Sequence, residues 1–287
     1  MPTTAYDLSM PRARSTSVVF AAPHSGRDYT ADFLDQSVLD MRRLRSSEDA
    51  FVDLLFSQAP QFGAPLLAAR APRAWIDLNR GADEFDPALI RDVPSRGHNP
   101  RISSGLGVVP RVVSAGRAIY SGKMPLAAAQ ARINAIWHPY HNRLQYLLDQ
   151  SHALFGEAIL IDCHSMPHEA VEGAGRNGPG KAPQIVLGDR FGAAAHATIV
   201  DQIEAAFQGA GFRVARNAPF AGAFTAQHYG RPSRNQHVIQ IEIDRALYMD
   251  EATITAHDGF DAFRTLMAGI TAKIAAIGSN EASLAAE

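Results

Sequence analysis

The chain has 287 residues, 46% of them apolar and 20% charged, with 22 Gly and 17 Pro, the proportions of a globular protein long enough to bury a substantial core. Its formal charge of −2 supplies no basic footprint for nucleic acid and no polybasic face for an anionic membrane. The single cysteine, Cys163, has no partner for an internal disulfide, and neither a signal-type apolar segment nor a run of about 18 apolar residues is found, so a soluble cytoplasmic protein is expected.

Short apolar runs alternate with longer helical patterns, which predicts an α/β fold with a central mixed, mostly parallel sheet flanked by helices. In chain order, strands are expected at 17–22 (SVVFAA), 65–70 (PLLAAR), 73–78 (RAWIDL), 158–163 (AILIDC), 184–188 (QIVLG), 212–215 (FRVA) and 237–243 (HVIQIEI). Helices are expected at about 47–60, 125–155, 190–210 and 252–277, the second with a kink or break at Pro139, which lacks a backbone donor. The irregular stretches 84–123 and 166–183 are long enough to be functional lids. Their Gly-rich parts, 95–107 and 170–180, are the candidates to border a groove. No repeat or linker divides the chain, so one domain is expected, with a core of about 15–277 and a frayed tail over 278–287.

Three predicted strands carry polar residues at or near their ends: His24 after VVFAAP, His164 after AILIDC, and Glu242 within HVIQIEI. In open α/β sheets ligands bind outside the carboxyl ends of strands, so these residues can converge on one site. Two imidazoles and a carboxylate make a three-ligand set for a catalytic zinc with an open fourth position. SSEDAFVDLL offers the acid as Glu48 or Asp49, and Asp49 is preferred. Both also suit a helix N-terminus without any metal. In RAWIDLNR, Asn79 and Arg80 follow a predicted strand, and a guanidinium fork there can hold a carboxylate. His228 and Arg231, in HYGRPSRN, are expected on a loop before the Glu242 strand, facing a cleft or solvent.

Two constellations are set aside. Pro139 interrupts the His138–His141 pair, which is read as packing or as support for the site. Cys163 and His164 are adjacent on a strand and point to opposite faces, so they do not form a thiol–imidazole pair.

PHSGRDY, SEDAFVDLLF, APRAWIDLNR, YHNRL, DCHSMP and HYGRPSRNQHVIQIEIDRALYMDE, in this order, resemble the N-formylglutamate amidohydrolase family over roughly residues 15–270. That family is similar to the zinc carboxypeptidase and aspartoacylase group, so the resemblance implies its phosphorylase/hydrolase-like α/β fold and one Zn2+ ion. His24 and His164 would correspond to zinc-binding histidines, Asn79-Arg80 to the pair that holds a substrate carboxylate, and Glu242 to the catalytic glutamate. Arg231, with His228, would hold a side-chain carboxylate or an oxyanion. The implied partner is a small N-acyl acidic amino acid, N-formylglutamate above all, which would place the protein in histidine breakdown. Two departures stand out. The wider group carries an acid three residues after its first histidine, where this chain has Arg27, so the acidic ligand has to come from the SEDAF segment. IEIDR also has Asp244 where IEINR is the expected form.

Overall fold

Every residue of the strand Val18–Ala22 and of the nine-residue strand Ala158–Met166 is buried, the pattern of strands covered on both faces by helices. A computed structural model describes residues 4–93, 99–175 and 182–279. Its strands are β1 (Tyr6–Ser9), β2 (Val18–Ala22), β3 (Leu66–Ala69), β4 (Val112–Val113), β5 (Arg117–Ala118), β6 (Ala158–Met166), β7 (Ile185–Gly188), β8 (Val214–Arg216), β9 (Gln236–Asp244), β10 (Met249–Asp250) and β11 (Thr255–Ala256). Its α-helices are α1 (Ala31–Gln36), α2 (Met41–Arg45), α3 (Val52–Leu55), α4 (Pro100–Ser103), α5 (Leu126–Arg132), α6 (His138–Phe155), α7 (Glu169–Gly175), α8 (Ala197–Gln208), α9 (Phe224–Tyr229) and α10 (Phe260–Ile277).

Seven strands form one sheet in the order β1-β3-β2-β6-β9-β7-β8. β2 runs parallel to β6, β6 to β9 and β7 to β8, whereas β9 and β7 are antiparallel. The mixed α/β sheet expected from the alternating pattern is therefore present. The remaining strands form two small pairs, β4 with β5 and β10 with β11. No helix among the described residues is long and apolar enough to cross a membrane.

The contacts divide the chain into two compact units. One comprises Met1–Asp7, Pro23–Ala50 and Ala68–Arg143; the other comprises Leu8–Ala22, Phe51–Leu67 and Leu144–Glu287. Each is assembled from three separated stretches, which is why no linker is visible in the sequence. In the second unit α10 buries Phe263, Met267, Ile270, Thr271 and Ile274, a stripe at helical spacing, and packs on α8. Phe207 of α8 is fully buried, and truncating such a ring to Ala typically costs about 3–5 kcal/mol.

Five expected elements differ. RAWIDL is not a strand: Trp75 and Ile76 both donate to the Pro72 carbonyl, so the apolar run coils into a buried turn. The helix expected at 47–60 starts only after Phe51, which has φ 66, a left-handed conformation strained for an aromatic residue. Glu48 and Asp49 thus precede the helix in a turn. Pro139 breaks nothing, because the chain winds as a π-helical turn over Ile133–Trp137 immediately before α6. The last two helices are shorter than expected, as α8 and α10. Parts of the expected groove loops (95–98 and 176–180) and residues 280–287 of the expected tail lie outside the described residues.

Candidate functional site

After β2 the chain turns at Pro23-His24 and passes so close to the 70–71 backbone that a Cβ on Gly26 would lie 2.1 Å from the Ala71 carbonyl oxygen. The amide of Asp28 donates to the Arg70 carbonyl and the Arg70 guanidinium to the Asp28 carboxylate at 2.7 Å, which fixes this turn. The Asp49 amide donates to the His24 carbonyl at 3.0 Å. That bond brings the SEDAF turn to His24, and the Asp49 carboxylate comes within 3.4 Å of His24 Nδ1.

The other ring nitrogen, His24 Nε2, is 2.7 Å from Asp77 Oδ1. Asp77 also accepts from the Asn79 amide at 2.8 Å and from Arg73 Nε at 3.2 Å. Burial alone would raise the Asp77 pKa, but His24, Arg73 and Arg80 outweigh it and hold the carboxyl well below its usual range. An ionised Asp77 takes the proton-bearing nitrogen of His24, which leaves the lone pair on Nδ1, toward Asp49.

His164 lies inside β6, which runs three residues beyond its expected end. Its Nε2 is 3.1 Å from Asp162 Oδ2, two positions back on the same strand face. One ligand atom each from His24, Asp49 and His164 lies within 4.8 Å of the others, and all three residues are buried, so the group can hold a metal ion. Two imidazoles and one carboxylate with second carboxylates behind the imidazoles match the donor chemistry of zinc. Glu48 is occupied elsewhere: Arg45 donates to both its oxygens, at 2.9 and 3.2 Å, and the Tyr29 hydroxyl lies 3.2 Å away.

Glu242 is buried in β9 as the register partner of His164. Gln240 donates to Glu242 Oε1 at 2.8 Å and accepts from the Ala223 amide at 3.2 Å, so it links the entrance of α9 to the carboxylate. Cys163 is fully buried, and burial followed by the charge of Asp162 pushes its thiol well up, as fits an inert cysteine.

Arg80 is buried, yet among the described residues it has no carboxylate at ion-pair distance. Its Nε donates to the Leu106 carbonyl and its Nη1 to the Asn79 carbonyl, both at 2.9 Å. The turn that presents it is clamped by the Trp137 indole, donating to the Arg80 carbonyl at 2.8 Å, and by His141 Nε2, 3.0 Å from the Leu78 carbonyl. His141 thus serves as support.

His228 and Arg231 are not on one loop. His228 is exposed on α9 and stacks on Phe224 at 4.9 Å, and Arg231 donates to the Gln227 and Gly230 carbonyls. Both line an open cleft of about 330 Å3 with Asp149, His152 and Gln236. Arg231 bridges to Gln236 at the start of β9, and six residues of strand put Glu242 roughly 20 Å further along. Sequence reasoning overlooked Asp77, Asp162 and Gln240. Each is a polar residue inside an apolar run, which burial makes costly unless it has a partner, and that was the signal available.

Fold and site together define an α/β protein with a buried imidazole-and-carboxylate group that could hold a metal ion. Residues 16–249 match the family model described as N-formylglutamate amidohydrolase. The chain belongs to the N-formylglutamate amidohydrolase family. It is 30% identical to the N-formylglutamate deformylase of Pseudomonas aeruginosa over 85% of this chain and 86% of that protein. It is 28% identical to that of Pseudomonas putida over 82% of each. The crystal structure of N-formylglutamate amidohydrolase from Ralstonia eutropha JMP134 superposes with a TM-score of 0.89 at 34% identity, covering 96% of this chain and 98% of that one.

Proposed function

We propose that the chain hydrolyses N-formyl-L-glutamate to formate and L-glutamate, with one zinc ion held by His24, Asp49 and His164. The observation that carries this reading is the buried group of three ligand atoms within 4.8 Å, in a chain of this family. When bound, the ion supplies a Lewis acid for the formyl carbonyl and acidifies water at neutral pH. Glu242, oriented by Gln240 at 2.8 Å, accepts the proton of the attacking water and returns it to the departing amine. Arg80, a buried cation whose hydrogen bonds among the described residues all go to main-chain carbonyls, binds the α-carboxylate with Asn79 and converts binding energy into orientation of the amide. His24 is held in its metal-binding tautomer by Asp77, and His164 by Asp162.

The test is zinc content and formate release measured on the same preparation, purified without chelator. Stoichiometric zinc, loss of turnover on chelation and its return with zinc are expected. Glu242→Gln should keep the metal and lose about 10²- to 10⁴-fold in kcat, the range for removing a general base. Full turnover in metal-free protein would end the zinc reading, and a Gln variant as active as the parent would end the role of Glu242.

A further inference from the structure

The proposed substrate carries two carboxylates, and the site as built so far binds one. We infer that Arg101 binds the second, the side-chain carboxylate, and so sets the preference for acidic over neutral N-formyl amino acids. This rests on the reading of Arg80 as the α-carboxylate anchor.

The two arginines are linked through the main chain. Arg80 Nε donates to the Leu106 carbonyl at 2.9 Å, and the Leu106 amide donates to the Arg101 carbonyl at 2.9 Å. The Arg101 amide is itself bound by the Asn99 side chain, 3.0 Å away, which caps α4. Both main-chain groups of Arg101 are therefore fixed, while its side chain is exposed and carries no ion pair or hydrogen bond among the described residues.

The charges around Arg80 favour a second anion. Burial lowers the Arg80 pKa first, Asp77 and Glu84 raise it, and the nearby charges of Arg73 and Arg101 lower it further. Of these neighbours, Arg73 is spent on Asp77 at 3.2 Å, and Glu84 accepts from the Gly81 amide at 2.7 Å. Arg111, which follows in the same turn, is paired with Asp86 at 2.8 Å. Among the described residues that bear on Arg80, Arg101 is thus the cation with its charge uncommitted. Arg231, the alternative from sequence, sits at the far end of β9 from Glu242.

The experiment compares kcat/KM for N-formyl-L-glutamate with that for N-formyl-L-glutamine, the neutral analogue of the same shape, in the zinc-loaded full chain. The parent should prefer the acid, and Arg101→Ala should lose roughly 10- to 100-fold on formylglutamate alone, the value of hydrogen bonds to a charged partner. The loss should fall mainly on KM, and Arg101→Lys should recover part of it. Arg80→Ala, by contrast, should impair both substrates. Equal use of the two substrates by the parent, or an Arg101→Ala effect that is absent or equal on both, would overturn the assignment and leave the deformylase reading intact. Hydrolysis of neither substrate would overturn both.

Discussion

Replacing Asp77 by Asn isolates the contribution of a carboxylate that touches a proposed metal ligand without being one. Asp77 accepts from His24 Nε2 at 2.7 Å, from the Asn79 amide at 2.8 Å and from Arg73 at 3.2 Å. Asparagine keeps the shape and one acceptor but removes the charge that fixes the orientation and tautomer of the His24 imidazole. Partners of this kind are worth about 10- to 100-fold in metal affinity, or roughly 1.4–2.8 kcal/mol. Competition with a chromophoric chelator at fixed pH reads that change directly. Glu48→Gln is the control: its carboxylate is engaged by Arg45 and Tyr29, so zinc affinity should stay at the parent's value. An Asp77→Asn protein of native circular dichroism and unaltered zinc affinity would refute the orienting role of Asp77.

Three further outcomes follow from particular contacts. Gly26→Ala forces its Cβ against the Ala71 carbonyl oxygen and should cost about 1–3 kcal/mol, seen as a melting temperature lower by several degrees. An unchanged melting curve would show that the turn yields freely. His237 is buried, and burial together with His196 pulls its pKa from 6.5 to about 4. The folded state therefore disfavours the charged ring: the unfolded chain takes up that proton first as pH falls, so stability should decline between pH 6.5 and 4, by up to roughly 3 kcal/mol. Urea unfolding of His237→Gln should show a shallower acid dependence than the parent; parallel curves would contradict the burial argument. His168 has its pKa raised, first by its hydrogen bond to Asp244 and then by the charge of that residue. Its contribution to stability is present at low pH and fades as pH rises through the folded value. Asp244→Asn should lower the His168 pKa in an NMR titration and remove that pH dependence.

The parts of the fold readable in the sequence were the ones whose local pattern has a single physical solution. VVFAA is apolar on both faces, AILIDC and HVIQIEI are apolar runs interrupted by a few polar residues such as Asp162, Gln240 and Glu242, and runs of that length buried between helices are strands. RAWIDL has the same composition but turns on Pro72, and nothing in a six-residue apolar run separates a buried turn from a strand. Phe51 in the left-handed region and the π-turn before Pro139 are tertiary solutions that no helix propensity encodes. The site was readable as far as residue types allow. His24, Asp49 and His164 come together, whereas Arg231 pairs with Gln236 at the start of β9 and shares a cleft there with His228, at the end of the strand away from Glu242. The carboxylates that hold the imidazoles were invisible as partners, since contacts such as that from residue 24 to residue 77 exist only once the chain is folded.

The pairing of His164 with Glu242 has a further consequence. Residues opposite one another on adjacent parallel strands share a face at a spacing of about 4.8 Å, so the separation of proposed metal ligand and proton acceptor is a property of the backbone ladder and not of any loop. Insertions and deletions in the surrounding loops leave that distance untouched, which frees those loops to vary with the substrate. A slip of one residue between the strands would turn one of the two groups to the opposite face. The chemistry is therefore robust to lengthening at the rim and brittle to shear in the sheet, and attempts to recruit this scaffold for other amides are best confined to the rim.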